Sequence, residues 1–175
     1  MVQAQHIPSV NDLMAVMQFT QSDLNANRNG NLSKSQALQL KRTRRRNLAM
    51  GALLFFLFVF LATLLIFLGQ MNQNIILSTI GGLLTVVNAI MIGMFARSYL
   101  RITADLQDGN IDRLSGELER ILRRGYQQNN YLLRINGVSI YVTKDIFKQF
   151  RHEASYHIYR TTHAHILLSA EPSLD

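Results

Sequence analysis

The chain has 175 residues, a net charge of +7 and no cysteine, which excludes a disulfide framework, a thiolate metal site and a cysteine nucleophile. Residues 1–46 carry seven Lys/Arg against two Asp, and residues 97–175 carry eleven Lys/Arg against nine Asp/Glu. Residues 47–96 carry no Asp, Glu, Lys, Arg or His at all. The near-neutral mean hydropathy therefore averages two unlike materials, and a single soluble domain is not the expected product. No secretory leader is expected, because residues 1–20 lack a basic start followed by an apolar core.

Residues 11–24 show helical signals: Asn11 can cap, and Leu13, Val16, Met17 and Leu24 recur near helical spacing. Residues 25–36 place oxygen-bearing side chains at the first, third and fifth positions (Asn25, Asn27, Asn29), glycine at the sixth (Gly30), an apolar residue at the eighth (Leu32), Ser33 at the ninth and Gln36 at the twelfth. This spacing resembles an EF-hand calcium loop. The chemistry is degenerate: amides and hydroxyls replace every carboxylate, Gln36 cannot give a bidentate carboxylate, and Arg28 adds a repulsive charge. Calcium is not expected to bind. Ser33 and Gln36 also form a capping-box pattern, which starts a helix running towards the first apolar run.

Residues 48–68 and 75–96 are long enough to cross a ~30 Å hydrocarbon core at ~1.5 Å per residue. The six residues 69–74 between them can join only antiparallel neighbours. Lys41, Arg42, Arg44, Arg45 and Arg46 precede the first span, and Arg97 and Arg101 follow the second, whereas the turn is uncharged. The positive-inside rule then puts both termini in the cytoplasm of a multi-pass protein of the cell membrane. The basic cluster could also attract anionic headgroups. The first span is bulky. The second holds Ser78, Gly82, Thr85, Asn88, Ala89 and Gly93, a small-residue face expected to pack helices within the hairpin or between copies. With no ionisable group in either span, a proton relay or voltage sensor has no candidate.

The second helix is expected to continue to Asp108-Gly109, where glycine can adopt the left-handed conformation that ends a helix. Residues 110–124 fit either helix or strand. Gly116 and the need of later strands for a partner favour strand. Asn136-Gly137 between residues 131–135 and 138–142 signals a hairpin. Thr143 caps a short helix, and residues 155–160 and 165–170 read as two further strands. The expected product is an α+β membrane protein of three parts: a cytoplasmic helix–loop–helix at 1–46, a transmembrane hairpin with helical extension at 47–108, and a small cytoplasmic β-domain of about five strands, barrel-like, at 109–175. A helical cap, two spans and a β-domain ending in Leu167-Leu168-Ser169-Ala170-Glu171-Pro172 resemble small uncharacterised bacterial two-span membrane proteins. That resemblance implies no active-site residue.

His157, His163 and His165 could form a three-imidazole zinc or copper site if the last hairpin paired suitably, and are otherwise scattered turn histidines. Ser139 and Ser169 have no obvious base, Gly81-Gly82 is not followed by a phosphate-loop lysine, and the Glu117/Glu119 pair is a common pattern. Tyrosines with interleaved arginines are expected in the core and rim of the β-domain rather than on nucleic acid. The expectation is a non-catalytic protein without cofactors, partnered with the bilayer, that acts as a homo-oligomeric scaffold or as accessory subunit of a larger membrane complex. Two alternatives stay open: a small channel or transport component lined by Thr85 and Asn88, and a membrane-anchored metal-binding sensor or enzyme using the histidines.

Overall fold

The computed structural model describes residues 8–125 and 129–173. The order of elements is α1 (Val10–Met17), α2 (Gln21–Arg28), α3 (Lys34–Met71), α4 (Ile75–Asp108), β1 (Ile111–Arg124), β2 (Asn129–Ile135), β3 (Val138–Val142), α5 (Lys144–Gln149), β4 (Ala154–Thr161) and β5 (Leu167–Pro172). Contacts divide the chain into two compact units: Met1–Leu38 with Gln107–Asp175, and Gln39–Leu106.

In the first unit, helix boundaries follow from side-chain caps. Ser9 and Asp12 form a capping box at α1, which ends where Gln18 turns left-handed at φ 59°. Thr20 and Asp23 form a second box that starts α2. The single helical segment expected over 11–24 is thus two helices, and its cap is Ser9, not Asn11. Ser33 and Gln36 complete the expected box at α3, with Gln36 N donating to Ser33 Oγ at 3.1 Å and Ser33 N to Gln36 Oε1 at 3.3 Å.

The sheet is antiparallel, in the order β3-β2-β1-β4-β5. Strand β1 holds it together by halves: residues 111–118 pair with β4, and residues 118–124 pair with β2 on the other side. The stagger leaves β3 and β5 as edges, so the sheet is open. The barrel-like closure expected from the sequence is corrected on this point, because among the described residues nothing joins β3 to β5. Asn136 (φ 47°) and Gly137 (φ 78°) make the tight β2–β3 turn in the left-handed region, as that dipeptide favours. Register puts Leu118, Leu133, Ile135, Ile140, Tyr156, Ile158 and Ala170 on one face. Leu13 of α1, Phe19, Leu24 of α2, and Phe147 and Phe150 from α5 and its end join them in one buried cluster. The amino-terminal helices therefore do not form a part of their own: they complete the core of the sheet.

The second unit is the helix pair between Gln39 and Leu106. Both helices are long and apolar enough to cross a membrane, and only 6% and 11% of their most apolar stretches are buried. That exposure separates them from the core helices of a soluble domain. Leu53, Phe56, Phe60, Ile76, Leu83 and Ile90 are among the large side chains facing outward.

Candidate functional site

Within the helix pair, glycine decides how closely the backbones approach. A Cβ at Gly81 would meet Ile66 Cγ1 at 2.6 Å and the Ala62 carbonyl oxygen at 2.9 Å. Gly81 is buried, as are Asn88 of α4 and Ala62 of α3. Gly82 and Gly93 would meet nothing within 4 Å, and Thr85 and Ala89 are exposed. The expected small-residue face is therefore split. Gly81 and Asn88 pack against α3, whereas Gly82, Thr85, Ala89 and Gly93 form a stripe that the helix pair leaves open. Ser78 is half-buried, and a Cβ at Gly69 would run into its hydroxyl. Asn88 lines an apolar cavity of about 470 Å³ with Gly51, Phe55 and Phe95, while the Thr85 hydroxyl donates to its own helix at the Gly81 carbonyl, 3.0 Å away. The two side chains proposed to line a path differ in role: one is packed inward and the other is spent locally.

Lys41, Arg42, Arg45, Arg46, Arg97 and Arg101 are exposed. Arg44 is half-buried: it donates to Thr103 Oγ1 at 3.2 Å, and its guanidinium lies 5.3 Å from the centre of the Tyr99 ring. This pins α3 to α4 beyond their apolar stretches by a charge-assisted hydrogen bond and a cation–π contact.

The EF-hand-like residues are turned to other partners. Asn25 and Asn27 lie within α2, Asn25 accepts from Gln21 at 3.4 Å, and Asn27 Nδ2 donates to Ser169 Oγ at 2.6 Å. Gln36 is spent on its capping box. Around Gly30 (φ 77°) the chain pairs with the start of the sheet: Asn31 bridges Asn110, Leu32 N donates to Gly109 O at 2.8 Å, and Ile111 N donates to Gly30 O at 3.1 Å. Asp23 gathers Thr20, Ser33 and Ser35 as donors. Burial pushes its carboxyl up, but these hydrogen bonds outweigh burial and hold it below its ordinary value.

The strongest polar constellation was not legible in the sequence. Arg28 of α2 clasps Glu171 of β5, which also accepts from the Tyr159 hydroxyl at 2.8 Å. Tyr159 is fully buried and Glu171 nearly so. Burial raises the Glu171 carboxyl, and the donors Arg28 and Tyr159 pull it down further than that. Burial and the bond to Glu171 push the Tyr159 hydroxyl up to about 12. The cluster has a charge-balanced, fully donated carboxylate and no free base or nucleophile, so it is built to hold α2 on the sheet.

The three histidines are not brought together. His157 sits on β4, with Nδ1 2.8 Å from Ser115 Oγ and Nε2 3.0 Å from the Arg113 guanidinium. An arginine can only donate, so Nε2 accepts and Nδ1 carries the proton towards Ser115. This is the wrong tautomer for activating that serine. Strand β5 begins at Leu167, so His163 and His165 fall in the connection rather than on a strand face. His163 pairs with Asp108 at 2.7 Å. Among the described residues no group of three or more His, Cys, Asp or Glu could hold a metal ion.

By fold this is an α+β protein: two long apolar helices and an open five-stranded antiparallel sheet. Comparison of the chain with protein-family models, with curated proteins and with solved structures finds no match.

Proposed function

We propose that the chain is an integral membrane protein of the cell membrane that works by assembly. The helix pair spans the bilayer as a hairpin, and the sheet-bearing unit forms a docking platform in the cytoplasm. The observation that carries this reading is the extensive apolar exposure of α3 and α4, whose most apolar stretches are only 6% and 11% buried. Water would not tolerate so large an apolar surface on a small protein, whereas lipid does.

Two features support the topology. Residues before α3 and after α4 belong to one compact unit, so both must lie on one side of any bilayer that the pair crosses. The exposed Lys41, Arg42, Arg45, Arg46, Arg97 and Arg101 flank the apolar stretches at that same end, which favours the cytoplasm. The open stripe of Gly82, Thr85, Ala89 and Gly93 supports assembly, because small residues let a second helix approach closely. Copies of this chain, or a helix of a larger complex, fill it. A channel reading is less well supported, since Asn88 is packed inward.

The test is in two stages. Alkaline carbonate washing should leave the expressed chain in the membrane pellet, and release into the supernatant overturns the membrane reading. Native mass spectrometry from mild detergent should then show an oligomer that Gly82→Leu dissociates. An oligomer unchanged by that substitution removes the packing stripe.

A further inference from the structure

The two edges of the open sheet are treated differently. Edge strand β5 is packed by α1 and α2, carries Glu171 and ends in Pro172. Those are the usual devices by which a protein prevents unwanted strand pairing. Edge strand β3 has neither the charge nor the proline. It reads Val138-Ser139-Ile140-Tyr141-Val142, five residues without charge, proline or glycine, with Tyr141 69% exposed. Among the described residues its backbone pairs only with β2, and its other side meets no strand. Beside it runs a groove of about 840 Å³ between β3 and the β4–β5 connection. The walls include Ile140, Ile146 and Leu167, together with Arg160 and His165, and no acidic residue. Arg160 is largely buried, and its ion pair to Asp112 is long at 3.4 Å. A guanidinium in a wall without acidic residues suits a carboxylate.

We propose that β3 is a β-augmentation site for an extended, acidic peptide segment of a partner protein. The segment adds a sixth strand along β3, apolar side chains enter the groove, and a carboxylate meets Arg160. Main-chain pairing supplies affinity, and the groove supplies specificity. Five residues of β3 span ~17 Å at ~3.3 Å per residue, so a peptide of five or six residues fits. Pairing of β3 with a second copy is disfavoured, because the basic wall of each groove would meet uncharged strand rather than a carboxylate. The inference rests on the docking-platform reading of this unit, and names its partner chemistry.

The test uses the full chain in nanodiscs and fluorescence anisotropy of a dye-labelled acetyl-Val-Thr-Val-Glu-Val-Thr-amide. Saturable binding is expected. Replacing the peptide's glutamate by lysine, or methylating alternate backbone nitrogens, should each weaken it about tenfold or more. Arg160→Gln should bring the glutamate peptide down towards the lysine one. Because the two peptide changes need no protein variant, misfolding of that variant leaves the test intact. Equal binding of the acidic and basic peptides, indifference to N-methylation, or no saturation up to about 1 mM overturns the proposal. So does concentration-dependent protection of the β3 amides without peptide, which would assign the edge to a second copy. Any of these results with the oligomer still intact by mass would sink this inference and leave the membrane assembly standing.

Discussion

Gly81 and Gly82 are adjacent on α4, yet the structure assigns them opposite consequences. An alanine Cβ at Gly81 would sit 2.6 Å from Ile66 Cγ1 and 2.9 Å from the Ala62 carbonyl oxygen. The second contact is to backbone, so α3 itself must move. At Gly82 the same atom meets nothing within 4 Å. Overpacking of this kind costs about 1–3 kcal/mol. Exchanging glycine for alanine inside a helix also brings a gain of up to ~1 kcal/mol, but both variants share it, so their difference isolates the steric term. For a chain of this size Gly81→Ala should melt roughly 2–12 °C below Gly82→Ala. Thermal challenge of detergent-solubilised protein followed by size-exclusion chromatography measures this. Equal melting of the two alanine variants refutes the assigned helix pairing, as does a greater loss for Gly82→Ala.

Glu171 lies below its ordinary 4.5 in the folded chain, so its contribution to stability is complete above about that pH and is lost as pH falls through the lower folded value. Glu171→Gln should destabilise the sheet-bearing unit by ~1–3 kcal/mol at neutral pH and flatten its acid limb in a urea titration, since Arg28 and Tyr159 lose a charged acceptor. Tyr159 behaves in the opposite sense: pushed up to about 12, it should stabilise fully below pH ~10 and progressively less as pH rises towards its folded value, an alkaline limb that Tyr159→Phe removes. At Gly116, φ is 152° and a Cβ would stand 2.8 Å from Asn136 Oδ1. Gly116→Ala should therefore cost about 1–3 kcal/mol by chemical denaturation, and should loosen the turn that Asn136 anchors by donating to the Ser115 carbonyl.

Much of this fold was legible because its signals are local. The Ser33/Gln36 box, the Asn136-Gly137 turn, the Thr143 cap and the glycine stop after α4 each depend on residues within one turn of one another. Gly116 correctly tipped residues 110–124 towards strand: at φ 152° it is in a conformation other residues avoid. What was missed depends on distance or on a single step. The Thr20/Asp23 box separates α1 from α2, where hydrophobic spacing alone reads as one helix. One residue on a helix is a 100° rotation, so the small-residue pattern could not say whether Gly81 or Gly82 faces α3. A strand beginning at Leu167 rather than two residues earlier leaves His165 in the connection, beside His163. Closure of the sheet depends on which half of β1 each neighbour takes, which no periodicity reports. Arg28 and Glu171 are 143 apart in the chain, and in sequence Arg28 was only a charge that disfavours calcium.

The same long-range pairing makes the apolar helix pair an insertion into a domain written in two pieces, and that has a direct test. Leu13, Phe19 and Leu24 are buried in the cluster formed by the sheet, so residues 107–175 alone lack part of their core. Each missing large side chain costs ~2–5 kcal/mol, and three together reach the whole stability of an ordinary domain, ~5–15 kcal/mol. The carboxyl-terminal piece expressed by itself should be unfolded. The two pieces meet where Asn31 bridges Asn110 and Leu32 N donates to Gly109 O, immediately before α3 begins and after α4 ends. Helices leaving from paired points run ~8–10 Å apart, which a flexible linker of about six Gly/Ser residues, reaching ~13 Å, can span. Deleting residues 39–106 and joining Leu38 to Gln107 through such a linker should give a soluble, cooperatively folding protein. Its β1, β2 and β4 amides should resist hydrogen exchange, and it should keep the acid limb that Glu171 imposes. A spliced chain that stays unfolded while the intact chain keeps those amides protected would show that the core, despite its contacts, needs the helix pair to form.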